Sequence, residues 1–404
     1  MASGFNGQSR SRENGERILV LGVGGGGCNA VARMAKAWQD GPSLVVADTD
    51  SQVLASVPVE RRISLGRSLT RGLSAGGDPA TGKLAAEEEA DTLREMISQY
   101  DIVFLVTALG GGTGGGAAPV IARLAREEGV LTIAFATLPF EFEGPRKSSQ
   151  ADDALRALRM VADVVVALPN SLLPEVVGEG TSLVDAFAKA DGMIGLSMHS
   201  IWRLLSRTGI INLDFADLRQ LVECSGGACR FGYGEGSGAN KVAEAMASVL
   251  NSPMLEQGRM LGESPALLVN LIGGADLALL DVRRVMSLLS DHASTDVRLF
   301  MGATVEEGWH DRMAVIILAA GSWHEPATNR GAEPVPAKAT RSGLPPKVEP
   351  RAEPEQEPRA VQETLKFEAV DKGRFKNVEP TILDGEDLDL PTYIRRGIKL
   401  SFDR

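Results

Sequence analysis

Between Arg17 and Gly321, short apolar runs alternate with stretches of helical periodicity. The runs at 18–21, 44–47, 102–106, 130–136 and 164–168 are rich in Val, Ile and Leu and bounded by turn residues, so they predict buried strands. The intervening segments 29–38, 84–99, 117–128 and 148–161 place apolar residues at helical spacing. Near-continuous apolar strands separated by helices predict a parallel sheet covered on both faces. A longer helical stretch follows at 182–206, then a second α/β block with apolar runs at 266–272, 297–301 and 314–320. Two domains joined by one long helix are expected, with no internal repeat.

The pattern fades at both ends. Residues 1–16 are small and polar and predict a flexible leader rather than a signal peptide, because they lack an apolar core. Eight of the twenty prolines fall between Pro326 and Pro358, among Glu, Arg, Lys and Ala, which predicts a solvated, disordered linker over 322–384. No stretch approaches the roughly 18 apolar residues of a membrane span. The three cysteines, Cys28, Cys224 and Cys229, are too few for a disulfide framework and fit a reducing, cytoplasmic setting. The net charge is −11; residues 322–404 contribute 14 basic against 15 acidic side chains, so the body before them carries 28 against 38, or −10. An acidic body argues against nucleic acid as a partner.

Glycines mark the candidate chemistry. The first strand runs into Gly22-Val23-Gly24-Gly25-Gly26-Gly27 and then a helix, a spacing that lets phosphate approach backbone N–H groups at a helix start. Asp48 and Asp50 end the next strand, where a dinucleotide fold would hold a ribose. A second cluster, residues 110–116 (GGGTGGG), lies between the run 102–106 and the helix at 117–128. Six glycines in seven residues carry a high entropic cost, and successive free N–H groups form an anion-binding concavity. Two such loops on the strand ends of one sheet suggest a polyphosphate held between them. The short matches at 77–83 and 72–76 lack the flanking residues and the strand context of a P-loop and of a nucleophile elbow. The four histidines have no ligand spacing, and no metal site of the protein's own is expected. At 212–219 (NLDFADLR), Asp214 and Asp217 share one face of a helix start, where they either cap it or, with Asn212, orient a water.

Taken together, these segments resemble the FtsZ family, the bacterial tubulin-like division GTPases, over nearly all of 18–321. Residues 110–119 look like the family's signature loop and residues 70–82 like another of its nucleotide loops. The segments LPFEFEG at 138–144, LPN at 168–170, NLDFADLR, SPMLE at 252–256 and IGGADLALL at 272–280 occur in the family's order. The resemblance implies a tubulin/FtsZ-like α/β fold: a Rossmann-like parallel-sheet GTPase domain at 17–181, a central helix at 182–206, a smaller α/β domain at 207–321 and the disordered tail. It implies Gly25, Gly26, Gly27, Cys28 and Asn29 at the phosphates of GTP or GDP with its Mg²⁺, and Gly112, Thr113 and Gly114 opposite them. Glu143 and Lys147 fall at ribose and phosphate contacts, Asn170 and Asp191 at the guanine, and Phe187 where a ring stacks on the base.

By the same resemblance, Asn212, Asp214 and Asp217 act as catalytic groups on the nucleotide of the next subunit, so hydrolysis accompanies head-to-tail assembly. The peptide DLDLPTYIRR at 387–396, within a segment 385–404, resembles the family's binding site for a membrane tether such as FtsA. This implies a cytoplasmic protein acting at the division site on the inner face of the membrane, without inserting into it. Three positions depart from the family: Gly115 replaces a usual Ser or Thr, Lys147 a usual Arg, and Pro145 stiffens its loop. A Rossmann NAD(P) oxidoreductase would explain the first glycine loop and Asp48, but not the second loop or the acids at 214 and 217. A tubulin-like filament former outside division is the other alternative.

Overall fold

The computed structural model describes residues 16–178, 180–206, 211, 213–321, 382–383 and 386–387. The leader apart from residue 16, nearly all of the linker and tail peptide, and Asn212 lie outside the described residues. Ten strands form one sheet: β1 Ile18–Val23, β2 Ser43–Asp48, β3 Arg61–Ser64, β4 Ile102–Ala108, β5 Leu131–Leu138, β6 Val164–Pro169, β7 Ala228–Ser237, β8 Ala266–Gly273, β9 Arg298–Val305 and β10 Arg312–Ala320. Their order is β3-β2-β1-β4-β5-β6-β7-β10-β8-β9. The first six strands are parallel, as the apolar runs of five of them predicted. The C-terminal half differs, because β10 pairs antiparallel with both β7 and β8. The halves meet where β6 and β7 pair in parallel through Val165 with Ala228 and Val166 with Cys229. Separately, Ile382–Leu383 pairs antiparallel with Glu386–Asp387.

Two strands escape the pattern for physical reasons. β3 is a four-residue edge strand that opens with two exposed arginines instead of an apolar run. β7 offers no continuous apolar run, because Gly232, Gly234 and Gly236 interrupt it. Gly234 and Gly236 admit the helix Lys241–Leu250 onto the strand: a Cβ on Gly234 would lie 2.1 Å from the Ala245 carbonyl oxygen.

Alternating strand residues build two buried layers. On one face Val20, Phe104, Phe135 and Val166 continue into Leu268 and Ile316 of the C-terminal half. The central helix Leu183–Ser206 presses Ile194, Met198, Ile201 and Leu204 onto this layer, which therefore spans both halves. The opposite face is covered in the N-terminal half by helices including Gly112–Glu127 and Pro145–Val161, and in the C-terminal half by Lys241–Leu250 and Leu279–Ser290. A cleft of about 1020 Å³ follows the central helix. Within it His199 stands between Trp38 and Trp202, each 5.3 Å away between ring centres, and lies 2.8 Å from the Asp40 carbonyl oxygen through Nε2. Its Nδ1 is 3.7 Å from Glu306, which also pairs with Arg203.

Neighbouring glycines of the second cluster serve different ends. A Cβ on Gly116 would stand 2.0 Å from the Pro79 carbonyl oxygen, so the helix Pro79–Glu88 packs directly on this backbone. A Cβ on Gly115 would meet only ordinary contacts, the nearest being Ala154 Cβ at 3.6 Å. Thermal denaturation should therefore separate the two. Gly115→Ala, inside a helix, is expected to add about 0.5–1 kcal/mol of stability. Gly116→Ala is expected to lose about 1–3 kcal/mol through overpacking.

Candidate functional site

The strand order reverses direction between β1 and β4, and the crevice beyond their carboxyl ends is where open α/β sheets bind ligands. Parallel pairing of Val23 with Thr107 brings both strand ends to one level. The helix Gly24–Ala37 starts directly after β1, and Gly112–Glu127 starts four residues after β4. Neither helix has a side-chain cap or an acid in its first turn. By contrast, Asp50, Asp78 and Asp214 each cap the helix they precede. Two sets of orphan N–H groups, with their partial positive charge, therefore face a common cavity of about 510 Å³. Gly24 makes this approach possible: its φ is +72°, and a Cβ there would lie 2.7 Å from the Gly114 nitrogen.

Helical phase decides which expected residues reach the cavity. Gly25, Gly26 and Asn29 line it, as do Gly112, Thr113 and Gly114. Gly27 and Cys28 are not among its lining; both are buried on the sheet side of the same helix, where a Cβ on Gly27 would stand 2.2 Å from the Val106 carbonyl oxygen. Burial pushes the Cys28 thiol up to about 12. Thr113 shares a hydrogen bond of 2.8 Å with Thr49 across the floor of the cavity.

The far end of the cavity is aromatic and acidic. Phe187 and Asp191 lie one turn apart on the central helix and therefore share a face. Phe187 meets Phe140 edge-on at 5.8 Å, and Phe140 stacks on the exposed Phe142 at 4.7 Å. Asn170, the first residue after β6, is buried at this end. Asp191 is paired with Arg33. Burial, outweighing that guanidinium, pushes its carboxyl up to about 6. At the side, Lys147 donates to Glu143 at 2.9 Å. Pro145 opens the helix Pro145–Val161 at its first position, where proline is favoured, so it starts a helix rather than stiffening a loop.

Asp214 and Asp217 do not line this cavity. Each accepts a hydrogen bond from the other's backbone N–H, at 2.7 and 3.1 Å, a reciprocal capping box at the start of helix Phe215–Ser225. Sequence reading missed Arg33 and Thr137 among the lining residues. Arg33 was within reach of helical periodicity, being one turn beyond Asn29. Among the described residues, no group of three His, Cys, Asp or Glu side chains could hold a metal. A Mg²⁺ ion would fit as a companion of the nucleotide, held mainly by phosphate oxygens and water.

Two family models match the chain: the Tubulin/FtsZ family GTPase domain over residues 17–178, and the FtsZ family C-terminal domain over 227–322. A solved FtsZ dimer of M. jannaschii is 33% identical, with a TM-score of 0.71 over 77% of this chain and 89% of that one. The chain belongs to the tubulin/FtsZ family. Its fold is the tubulin/FtsZ fold, and it is a GTPase that binds GTP and GDP. CetZ1 of Haloferax volcanii, a GDP-bound monomer, shares the fold at 20% identity and a TM-score of 0.63, over 77% of this chain and 96% of that one. Among the described residues, no helix is long and apolar enough to cross a membrane.

Burial sorts the three thiols. Cys28 and Cys229 are buried and both pushed up to about 12, while Cys224 is half-buried. A thiol reagent at neutral pH should label only Cys224 in the native protein, and all three cysteines in denaturant.

Proposed function

We propose that this chain is a GTP-dependent, self-assembling filament protein of the cell-division ring, and that GTP is cleaved at the contact between head-to-tail subunits. The observation that carries this reading is the separation of its parts. The cavity with two uncapped helix starts lies within one chain, whereas Asp214 and Asp217 are held rigid at the surface, away from it. One subunit holds the nucleotide; Asn212, Asp214 and Asp217 of the next polarise the attacking water. Such a contact joins two different faces, does not close, and grows a filament. In support, the related CetZ2 of Haloferax volcanii, 22% identical, is known as a GTPγS-bound protofilament.

Within the cavity, the backbone of Gly25, Gly26, Asn29, Gly112, Thr113 and Gly114 holds the phosphates, with Gly27 and Cys28 acting only through their main chain. Lys147 adds a cation, Glu143 takes the ribose, and Phe187 stacks on the base. Asn170 and Asp191 read guanine: a carboxylate accepts from its N1–H and exocyclic amine, which adenine does not offer. Mg²⁺ travels with the nucleotide. Division is favoured over another filament role by the FtsZ-type C-terminal domain and by residues 387–396, which take a membrane tether such as FtsA and bring the protein to the inner face of the membrane at the division site.

GTP turnover per molecule should rise steeply with protein concentration. Asp214→Asn keeps a good helix cap but removes the charge, so it should assemble by light scattering yet cleave GTP about 10²-fold more slowly. Turnover at the wild-type rate would exclude Asp214 from catalysis. Acid should also release nucleotide: protonating Asp191 blocks the oxygens that must accept, so affinity should fall about tenfold per pH unit below about pH 6 in a fluorescence titration.

A further inference from the structure

The cavity that receives a polyanion is itself acidic. Asp48, Asp50, Glu143 and Asp191 line it against Arg33 and Lys147, four carboxyl groups to two cations. Both cations already have carboxylate partners, Arg33 with Asp191 and Lys147 with Glu143. Asp50 is occupied as a helix cap, accepting from the Gln52 N–H at 2.8 Å. That leaves Asp48, the last residue of β2, only 3% exposed and on the floor of the cavity. Its Oδ1 accepts from the Asp50 N–H at 3.1 Å and from the Thr49 hydroxyl at 3.4 Å. Its Oδ2 points to the first turn of the helix Gly24–Ala37, 4.0 Å from where a Cβ on Gly25 would stand. A carboxyl oxygen thus sits where the phosphate cradle should offer donors.

An ionised Asp48 would repel a phosphate at that position. A neutral carboxyl would donate its O–H to a phosphate oxygen, a short charge-assisted bond. The surroundings favour the neutral form. Burial pushes the Asp48 carboxyl above its usual range, and the Asp50 carboxylate pushes the same way. The other titratable group acting with it is the Cys28 thiol on the helix behind. Hydrogen bonds from the Asp50 and Thr49 backbone N–H groups and the Thr113 hydroxyl pull the other way, but burial outweighs them. The arriving phosphates, more negative charge beside a buried acid, raise its proton affinity further.

We propose that Asp48 meets the nucleotide in its protonated form, its carboxyl O–H donating to a phosphate oxygen, so that binding draws one proton from solvent. The inference rests on the guanine-nucleotide reading above and adds to it a binding residue and a required protonation state. Its consequence opposes that of Asp191, because Asp48 favours nucleotide at low pH.

The test is GDP binding by calorimetry between pH 5.5 and 8.5, with divalent cations chelated, for the wild type and for Asp48→Asn, whose amide imitates the protonated acid. Asp191 and the nucleotide's own phosphate titrate in both proteins and cancel in the ratio of their dissociation constants. That ratio, wild type over variant, should climb about tenfold per pH unit above the free-state pKa of Asp48. The wild-type heat should depend on the ionisation enthalpy of the buffer more than the variant's heat does. This buffer dependence also needs no variant. A ratio that stays flat with pH, or a variant that binds more weakly throughout, overturns the proposal. So does added Mg²⁺ that tightens GDP for the wild type alone, since the ionised carboxylate would then be the useful form. Failure of both proteins to bind GDP at any pH would instead strike the guanine-nucleotide reading itself.

Discussion

The meeting of two helix starts behind β1 and β4 is the contact on which the site depends. Parallel register sets the two strand ends level, and the Thr107 hydroxyl, donating to the Val23 carbonyl oxygen at 3.3 Å, ties them together. Gly24 then lets the first helix lie against the Gly114 backbone, closer than any side chain allows. Each helix start leaves N–H groups without intrahelical partners. Elsewhere the chain satisfies such groups with Asp50, Asp78 and Asp214; here it leaves them open, and the two sets converge.

This arrangement explains how a strongly acidic protein can hold a polyphosphate. The attraction comes from oriented peptide groups rather than from a basic face, and acts within the first turn. Side-chain charge is then free for other work. Glu143 and Asp191 line the cavity with a cation each, Asp50 caps a helix, and Asp48 lies buried on the floor.

How much of this was legible from sequence follows from the physics of each element. The strands of the N-terminal half announced themselves because both faces are buried, which makes them continuously apolar. The edge strand β3 and the glycine-interrupted β7 did not, since one is polar and the other contributes backbone rather than side chains to its packing. The glycine clusters revealed a site but not the division of labour within it. Gly24 permits the approach of two helices and Gly116 the seat of a third, which only the spatial neighbours disclose. Gly27 and Cys28 were expected at the ligand, but helical phase turns them to the sheet. The pair at 214 and 217 was ambiguous between capping and chemistry; it does cap its helix, and the role toward GTP proposed for it would belong to the contact between two chains.

The setting of His199 has a practical side. Of the four tryptophans in the chain, Trp38, Trp202 and Trp309 border the same cleft, where the first helix, the central helix and the C-terminal half come together. The emission of the native protein is therefore dominated by one joint. Any swivel of one half against the other would alter the quenching of these indoles by the neighbouring imidazole and carboxylates, giving an optical record of the motion without an attached dye.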